Sequence, residues 1–147
     1  SIPVYRITLV KEAALRQTDR PCMGNSGDAA KILHAYLSDA DREHFVILML
    51  NVKNKIIGIH TVSIGSLTSS LAHPREVFKA AILHNAAAII LGHNHPSGDP
   101  SPSGEDISLT RRLRDCGDIL NIKVLDHIVI GEHGRYISFI DDGYWNK

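Results

Sequence analysis

The sequence predicts an α/β domain in which helices flank a mixed β-sheet. Segments with strand patterns alternate with segments of helical spacing, and two of the strand segments are continuous apolar runs, as in strands covered on both faces. The chain has 147 residues, 44% of them hydrophobic, which suits one globular domain over residues 1–147 with a single core. A second domain is not expected.

The first half of the chain predicts a strand, a helix and a hairpin. Residues 4–10 are a predicted strand, and Ser26 is the predicted N-cap of a helix that ends near Ala40. Residues 45–50 are all apolar, and a polar turn leads from them into a second strand at residues 56–64, so we expect an antiparallel hairpin. The apolar stripe of the helix comprises Ile32, Leu33, Tyr36 and Leu37.

The second half predicts two helices and three strands. After a loop at residues 65–74, a helix is marked by the spacing of Val77, Phe78, Ala81 and Ile82. Residues 87–91 are a buried strand, residues 105–116 a helix, and residues 122–130 and 135–140 the last strands. Leu109, Leu113 and Cys116 form one side of the last helix, and Gly131 and Gly134 bracket the final turn.

Composition excludes several classes of protein. Lysine plus arginine and aspartate plus glutamate both number 16, so binding driven by neutralisation of nucleic-acid phosphates is not expected. Arg111, Arg112 and Arg114 are a cluster that more often forms a solvated helix face than a nucleic-acid contact. Cys22 and Cys116 have no disulfide or zinc spacing, which favours a reducing cytoplasm. Neither a leader segment nor a membrane-spanning stretch is predicted.

Residues 93–106, with the sequence HNHPSGDPSPSGED, are the most informative segment. They contain two histidines, His93 and His95, and an aspartate, Asp106, that one metal ion could bind together. Two imidazoles and one carboxylate are a three-ligand set for zinc, and three protein ligands leave one coordination position for water. An open position is typical of catalytic rather than structural zinc.

Each part of this segment also has a simpler interpretation. His93 and His95 alternate as on a strand end, but a loop can carry two unrelated histidines. Ser103 and Asp106 have the spacing of a helix N-cap and its N3 partner, so a capping box alone explains them. Pro96, with the other prolines of the segment, would stiffen either a site or an ordinary surface loop. Only the joint pattern favours a metal site.

The joint pattern H-x-H-P-x-G-x4-S-x2-D, with a glutamate upstream at the start of a buried strand, resembles the signature of the JAB/MPN (JAMM) metalloproteases. Residues 72–80 and 125–131 are similar to the bacterial RadC-like branch, so the resemblance covers most of residues 4–141. It implies a cytidine-deaminase-like JAB/MPN architecture. We expect a short form without the helix-hairpin-helix part that longer members carry at their N-terminus.

Carried over residue by residue, the resemblance implies that His93, His95 and Asp106 hold Zn²⁺. It also implies that Ser103 hydrogen-bonds in the site and that Glu43 is the general acid and base. The other seven histidines are interpreted as structural or surface residues. His127, in the polar pair Asp126-His127 within an apolar strand, is the one that suits a supporting position behind the metal ligands.

Three classes of function follow. The first is a zinc-dependent metallopeptidase or isopeptidase acting on a protein or peptide substrate of unknown identity. The second is a DNA-associated protein with a role in repair, which the net charge does not support. The third is a non-catalytic JAB/MPN scaffold. Deaminase chemistry is excluded because the H-x-E and P-C-x-x-C pattern is absent. The loop at residues 65–71, which is rich in small polar residues, is expected to border the cleft of the predicted metal site.

Overall fold

A computed structural model of the protein describes residues 1–15, 21–65 and 72–147. Its helices are α1 (Ser26–Tyr36), α2 (Pro74–Leu83) and α3 (Gly104–Leu120). Its strands are β1 (His44–Leu50), β2 (Ile56–Ile64), β3 (Ala88–Asn94), β4 (Lys123–Ile130) and β5 (Tyr136–Ser138). The predicted loop at residues 65–71 lies, apart from Gly65, outside the described residues.

The five strands form one mixed sheet in the order β2-β1-β3-β4-β5. Strand β1 is antiparallel to both β2 and β3, which confirms the predicted hairpin. Strands β3 and β4 are parallel, and α3 crosses between them, while β5 returns antiparallel to β4. This topology confirms the predicted α/β class with helices on a mixed sheet.

Strand β1, which lies between β2 and β3, is buried on both faces. Phe45, Ile47 and Met49 belong to a hydrophobic cluster that includes residues of α2 and α3. Val46 and Leu48 alternate with them and belong to a second cluster that includes residues of α1. Because successive strand residues point to opposite faces, two covered faces require a continuous apolar run, as the sequence indicated.

Capping residues fix where the helices begin. The predicted N-cap Ser26 is wrong by one residue, since the Asn25 side chain accepts a hydrogen bond from the backbone N–H of Asp28. Helix α1 also ends at Tyr36 rather than near Ala40. Helix α3 continues to Leu120, four residues beyond the predicted end, and Asn121 ends it in a left-handed conformation.

The predicted strand at residues 4–10 is wrong. These residues are exposed and adopt no strand, and none of them pairs with a described strand. Alternating apolar side chains favour a strand only when a neighbouring strand can accept its backbone hydrogen bonds.

Two residues of the predicted helical stripes, Tyr36 and Ile82, are exposed, at 38% and 51%. Along the described ranges, no helix has both the length and the apolar character needed to cross a membrane.

Candidate metal centre

The candidate site lies where β3, the start of β1 and the start of α3 meet. His93 is the second-to-last residue of β3 and pairs with Phe45 of β1, and His95 directly follows the strand. Glu43 immediately precedes β1, and Asp106 is in the first turn of α3. The fold therefore brings together four of the predicted site residues, which are up to 63 positions apart in the chain.

The ligand atoms of these four residues are close to one another. The Nε2 atoms of His93 and His95 are 3.0 Å apart. The Asp106 carboxylate lies 3.5 Å from His93 Nε2 and 3.3 Å from His95 Nε2. The corresponding distances from Glu43 Oε1 are 3.8 Å and 4.0 Å.

This cluster has the geometry of a cation site. Potential ligand atoms of Glu43, His93 and His95 all lie within 4.8 Å of one another, and the described residues contain no second group of this kind. Two ring nitrogens facing each other beside two carboxylates concentrate lone pairs and negative charge, which require a cation or a shared proton. Imidazole and carboxylate suit zinc and other transition metals, so the donor set fits a metal ion without identifying it.

His95 is oriented by the loop that follows it. Its Nδ1 lies 2.9 Å from the carbonyl oxygen of Asp99. A carbonyl oxygen can only accept, so Nδ1 donates, and in the neutral ring Nε2 is left without a proton, facing the cluster. The hydrogen bond with Asp106 raises the pKa of His95, although partial burial acts in the opposite direction.

Asp106 is a buried carboxylate held by a capping box. Its Oδ2 accepts from the backbone N–H of Ser103 at 2.8 Å, and the Ser103 Oγ accepts from the backbone N–H of Asp106 at 3.1 Å. The capping-box interpretation is therefore confirmed, and it coexists with the contacts to the histidines. Burial alone would raise the pKa of Asp106, but hydrogen bonds with His93 and His95 outweigh it and hold that pKa well below its ordinary value. Asp106 therefore remains ionised.

Asn94, the middle residue of the H-N-H string, positions the segment that carries Glu43. Its side-chain oxygen accepts from the backbone N–H of His44 at 2.7 Å, and its Nδ2 donates to the carbonyl oxygen of Arg42 at 2.9 Å. These two bonds bracket Glu43. This role leaves no local signal in the sequence, because the hydrogen bonds join residues that are 50 and 52 positions apart.

The loop after His95 is packed against the turn between β4 and β5. Gly98 has φ of +91°, and its carbonyl oxygen accepts from the backbone of Glu132 and from the Arg135 side chain. A Cβ atom on Gly131 would lie 2.2 Å from that oxygen, so only glycine allows this approach. The two glycines thus support the backbone around Asp99, which orients His95.

His127 lies directly behind the cluster. Its Nε2 is 2.7 Å from Nδ1 of His93, and the ring is fully buried between Phe45 and Phe139. Burial, followed by the neighbouring charge of His93, lowers the pKa of His127 well below its ordinary value. Its partner in the polar pair, Asp126, has a different role, since it accepts hydrogen bonds from Ser138 and from the backbone of Ile140.

A polar cavity of about 290 Å³ opens beside His95 on the α1 side of the sheet. Asn94, His95 and Pro96 line one wall, and Glu132 lies on another.

Of the arginine cluster, Arg111 and Arg112 are exposed, whereas Arg114 stacks on the Trp145 ring with its guanidinium 3.9 Å from the ring centre. Arg114 is therefore engaged with Trp145, whereas Arg111 and Arg112 face solvent.

A family model described as RadC-like JAB domain matches residues 23–144. Similar curated proteins include a UPF0758 protein of Caldanaerobacter subterraneus subsp. tengcongensis, 57% identical over 119 residues, and one of Desulfitobacterium hafniense, 54% identical over 124 residues. The matched parts cover 81% and 84% of this chain but 51% and 54% of the relatives. The chain thus spans about half the length of the curated relatives it matches, and their names state no activity.

Proposed function

The chain belongs to the family of RadC-like JAB domains, and from this premise we propose that it is a zinc-dependent metallopeptidase or isopeptidase that hydrolyses an amide bond. The observation that carries the proposal is the convergence of the His93 and His95 Nε2 atoms with the carboxylates of Asp106 and Glu43. The substrate class is a protein or peptide whose scissile carbonyl can reach this end of the sheet.

We assign the metal to His93, His95 and Asp106. Asp106 lies closer to both histidines than Glu43 does, and its side chain is 3% exposed compared with 21% for Glu43. Hydrogen bonds within the capping box also fix its orientation. Bound zinc would supply Lewis acidity and lower the pKa of its water from about 15.7 toward 7.

Glu43 is the residue we assign as general base and acid. Its carboxylate oxygen Oε1 is 3.8 Å from His93 Nε2 and 4.0 Å from His95 Nε2, so it lies next to the residues that would hold the ion. It accepts a proton from the attacking water as the water oxygen bonds to the carbonyl carbon. When the C–N bond breaks, Glu43 returns that proton to the leaving amine, so the products are a carboxylic acid and an amine.

Ser103 is the residue we assign to the oxyanion. Its Oγ accepts from the Asp106 backbone N–H, and this bond leaves the hydroxyl hydrogen as a donor. Donation to the oxygen of the attacked carbonyl would stabilise the negative charge that develops in the transition state. Capping and catalysis use different parts of the same hydroxyl group.

The two alternatives receive less support. A DNA-associated role would require a basic surface, but the formal charge is zero and Arg114 is engaged with Trp145. A non-catalytic scaffold has no need for a buried carboxylate between two histidines, which costs desolvation free energy unless a cation compensates it. Both alternatives become relevant if zinc does not bind.

The test is hydrolysis of a library of internally quenched peptides and of a lysine-isopeptide substrate by the zinc-loaded chain. Glu43→Gln should retain zinc and lose turnover by about 10²–10⁴-fold, since the loss removes general acid-base catalysis. Glu105→Gln, an exposed position in the first turn of α3, is the matched control and should remain active. Full activity of Glu43→Gln would remove the assigned base, and absence of cleavage by zinc-loaded wild type would contradict the proposal.

A further inference from the structure

A buried chain of polar groups connects His93 to the backbone of α3. His93 Nδ1 lies 2.7 Å from His127 Nε2, and His127 Nδ1 lies 2.6 Å from the Thr110 hydroxyl oxygen. That hydroxyl lies 2.7 Å from the carbonyl oxygen of Asp106. His93, Asp106, Thr110 and His127 are each no more than 2% exposed, so water does not replace these contacts.

The donor of each hydrogen bond in this series can be assigned by starting at the Asp106 carbonyl oxygen. The Asp106 carbonyl oxygen can only accept, so the Thr110 hydroxyl donates to it. The Thr110 oxygen must then accept the proton of His127 Nδ1. A neutral His127 consequently has a bare Nε2, which accepts from Nδ1 of His93.

We propose that His127 and Thr110 are positioning residues that hold His93 in its metal-binding tautomer. Since Nδ1 of His93 carries the proton, its Nε2 has a free lone pair directed at His95 and Asp106. The inference deepens the proposed function, because it explains how one ligand is prepared for the ion. The same residue, Asp106, contributes its carboxylate to the site and its backbone carbonyl to this chain.

The packing around His127 prevents alternative arrangements of its ring. Phe139 stacks on one side with ring centres 4.6 Å apart, and the edge contact with Phe45 has ring centres 5.8 Å apart. A flipped or rotated imidazole would lose Thr110 or His93 as its partner inside an apolar cluster. A buried polar group without a partner is costly, so the hydrogen-bonded order is the stable one.

The first measurement is the tautomer of each histidine in the metal-free wild-type chain, by NMR of the ¹⁵N-labelled rings. The proposal expects protons on Nδ1 of both His93 and His127. A proton on Nε2 of a neutral His93 would overturn it. This readout does not depend on zinc or on activity, so it separates the two claims. Zinc binding combined with the wrong tautomer rejects the inference alone, and the right tautomer without zinc binding rejects the proposed function alone.

The second measurement is the zinc dissociation constant of Thr110 variants, by competition with a chromophoric chelator. Thr110→Val removes the hydroxyl with little change of shape and should weaken zinc binding about 10–100-fold, whereas Thr110→Ser should restore it. Thr61→Val is the matched control, because the Thr61 hydroxyl of β2 forms its hydrogen bond with the exposed Tyr36 hydroxyl of α1 and not with a residue of the candidate site. Wild-type affinity in a folded Thr110→Val chain would overturn the proposal, and if that variant does not fold, the tautomer measurement decides.

Discussion

The Nδ1 atom of His95 lies 2.9 Å from the carbonyl oxygen of Asp99, four residues further along the chain. This local bond leaves Nε2 as the atom that faces His93 and Asp106. A histidine on a loop can bind a metal reproducibly only if its ring is held, because otherwise ring rotation must be frozen upon binding. The contact with Asp99 therefore does for the ring of His95 what the contact with His127 does for the ring of His93.

Zinc affinity should depend on pH through His95. Its pKa is raised from 6.5 mainly by the hydrogen bond with Asp106. When the pH is below the pKa that His95 has in the unfolded chain, protonation of this ring stabilises the metal-free fold. That stabilisation is lost as the pH rises through the raised pKa of the folded chain. Because zinc must displace this proton, affinity should increase as pH rises through the same range, with release of about one proton. Titration calorimetry in buffers of different ionisation enthalpy measures this, and a pH-independent dissociation constant would contradict it.

The two members of the capping box should separate stability from metal binding. Ser103→Ala removes the N-cap acceptor and should lower the free energy of unfolding by about 0.5–2 kcal/mol, measured by denaturant titration of the metal-free chain. Asp106→Asn retains an oxygen that can accept from the Ser103 backbone, so its metal-free stability should change less. Equal destabilisation by both substitutions would show that the Asp106 charge also supports the helix.

Gly131→Ala should disturb the site from a distance. The new Cβ atom would meet the Gly98 carbonyl oxygen, and the loop around Asp99 would have to move. We expect destabilisation of about 1–3 kcal/mol together with weaker zinc binding. Gly104→Ala is the matched control, because among the described residues no atom beyond its chain neighbours and its own helix backbone lies within 4 Å of the added Cβ, and alanine favours a helix. Unchanged thermal unfolding and zinc affinity in Gly131→Ala would show that this loop adapts freely.

Asp126 should tolerate asparagine but not alanine. Burial raises the pKa of Asp126, although hydrogen bonds from Ser138 and from the backbone of His127 and Ile140 act against it. Asparagine keeps the acceptor for both backbone groups and removes the cost of burying charge, so stability near neutral pH should change little. Alanine leaves buried donors without a partner and should cost about 1–3 kcal/mol. Thermal unfolding of both variants tests this, and similar melting temperatures would contradict it.

Much of the fold could be predicted because burial leaves a direct trace in the sequence. The apolar run of residues 45–50 identified strand β1, and the polar turn that follows it indicated the hairpin. The strand at residues 4–10 could not be judged in this way, because periodicity describes one segment and says nothing of a neighbour to pair with. Helix ends were misplaced for a related reason, since Asn25 and Ser26 are equally suitable caps by composition.

Local spacing indicated most residues of the candidate site, whereas Glu43 was assigned only through the family resemblance and most supporting residues were not indicated at all. His93, His95, Ser103 and Asp106 lie within 14 positions, so a motif can reveal them. Asn94, Thr110 and Gly131 act through contacts with residues far away in the sequence, which only the folded chain brings together. His127 gave a weak signal as a polar residue inside an apolar strand, and its contact with His93 explains that signal.

The metal content of purified, untagged chain tests the central claim most directly, by elemental analysis of wild type beside Asp106→Asn. The substitution preserves the capping geometry and removes one ligand charge, so folding differences should not obscure the result. We predict about one zinc ion per wild-type chain and little in the variant. Equal or negligible zinc in both proteins, even after addition of Zn²⁺, would contradict the metal site and favour a non-catalytic scaffold.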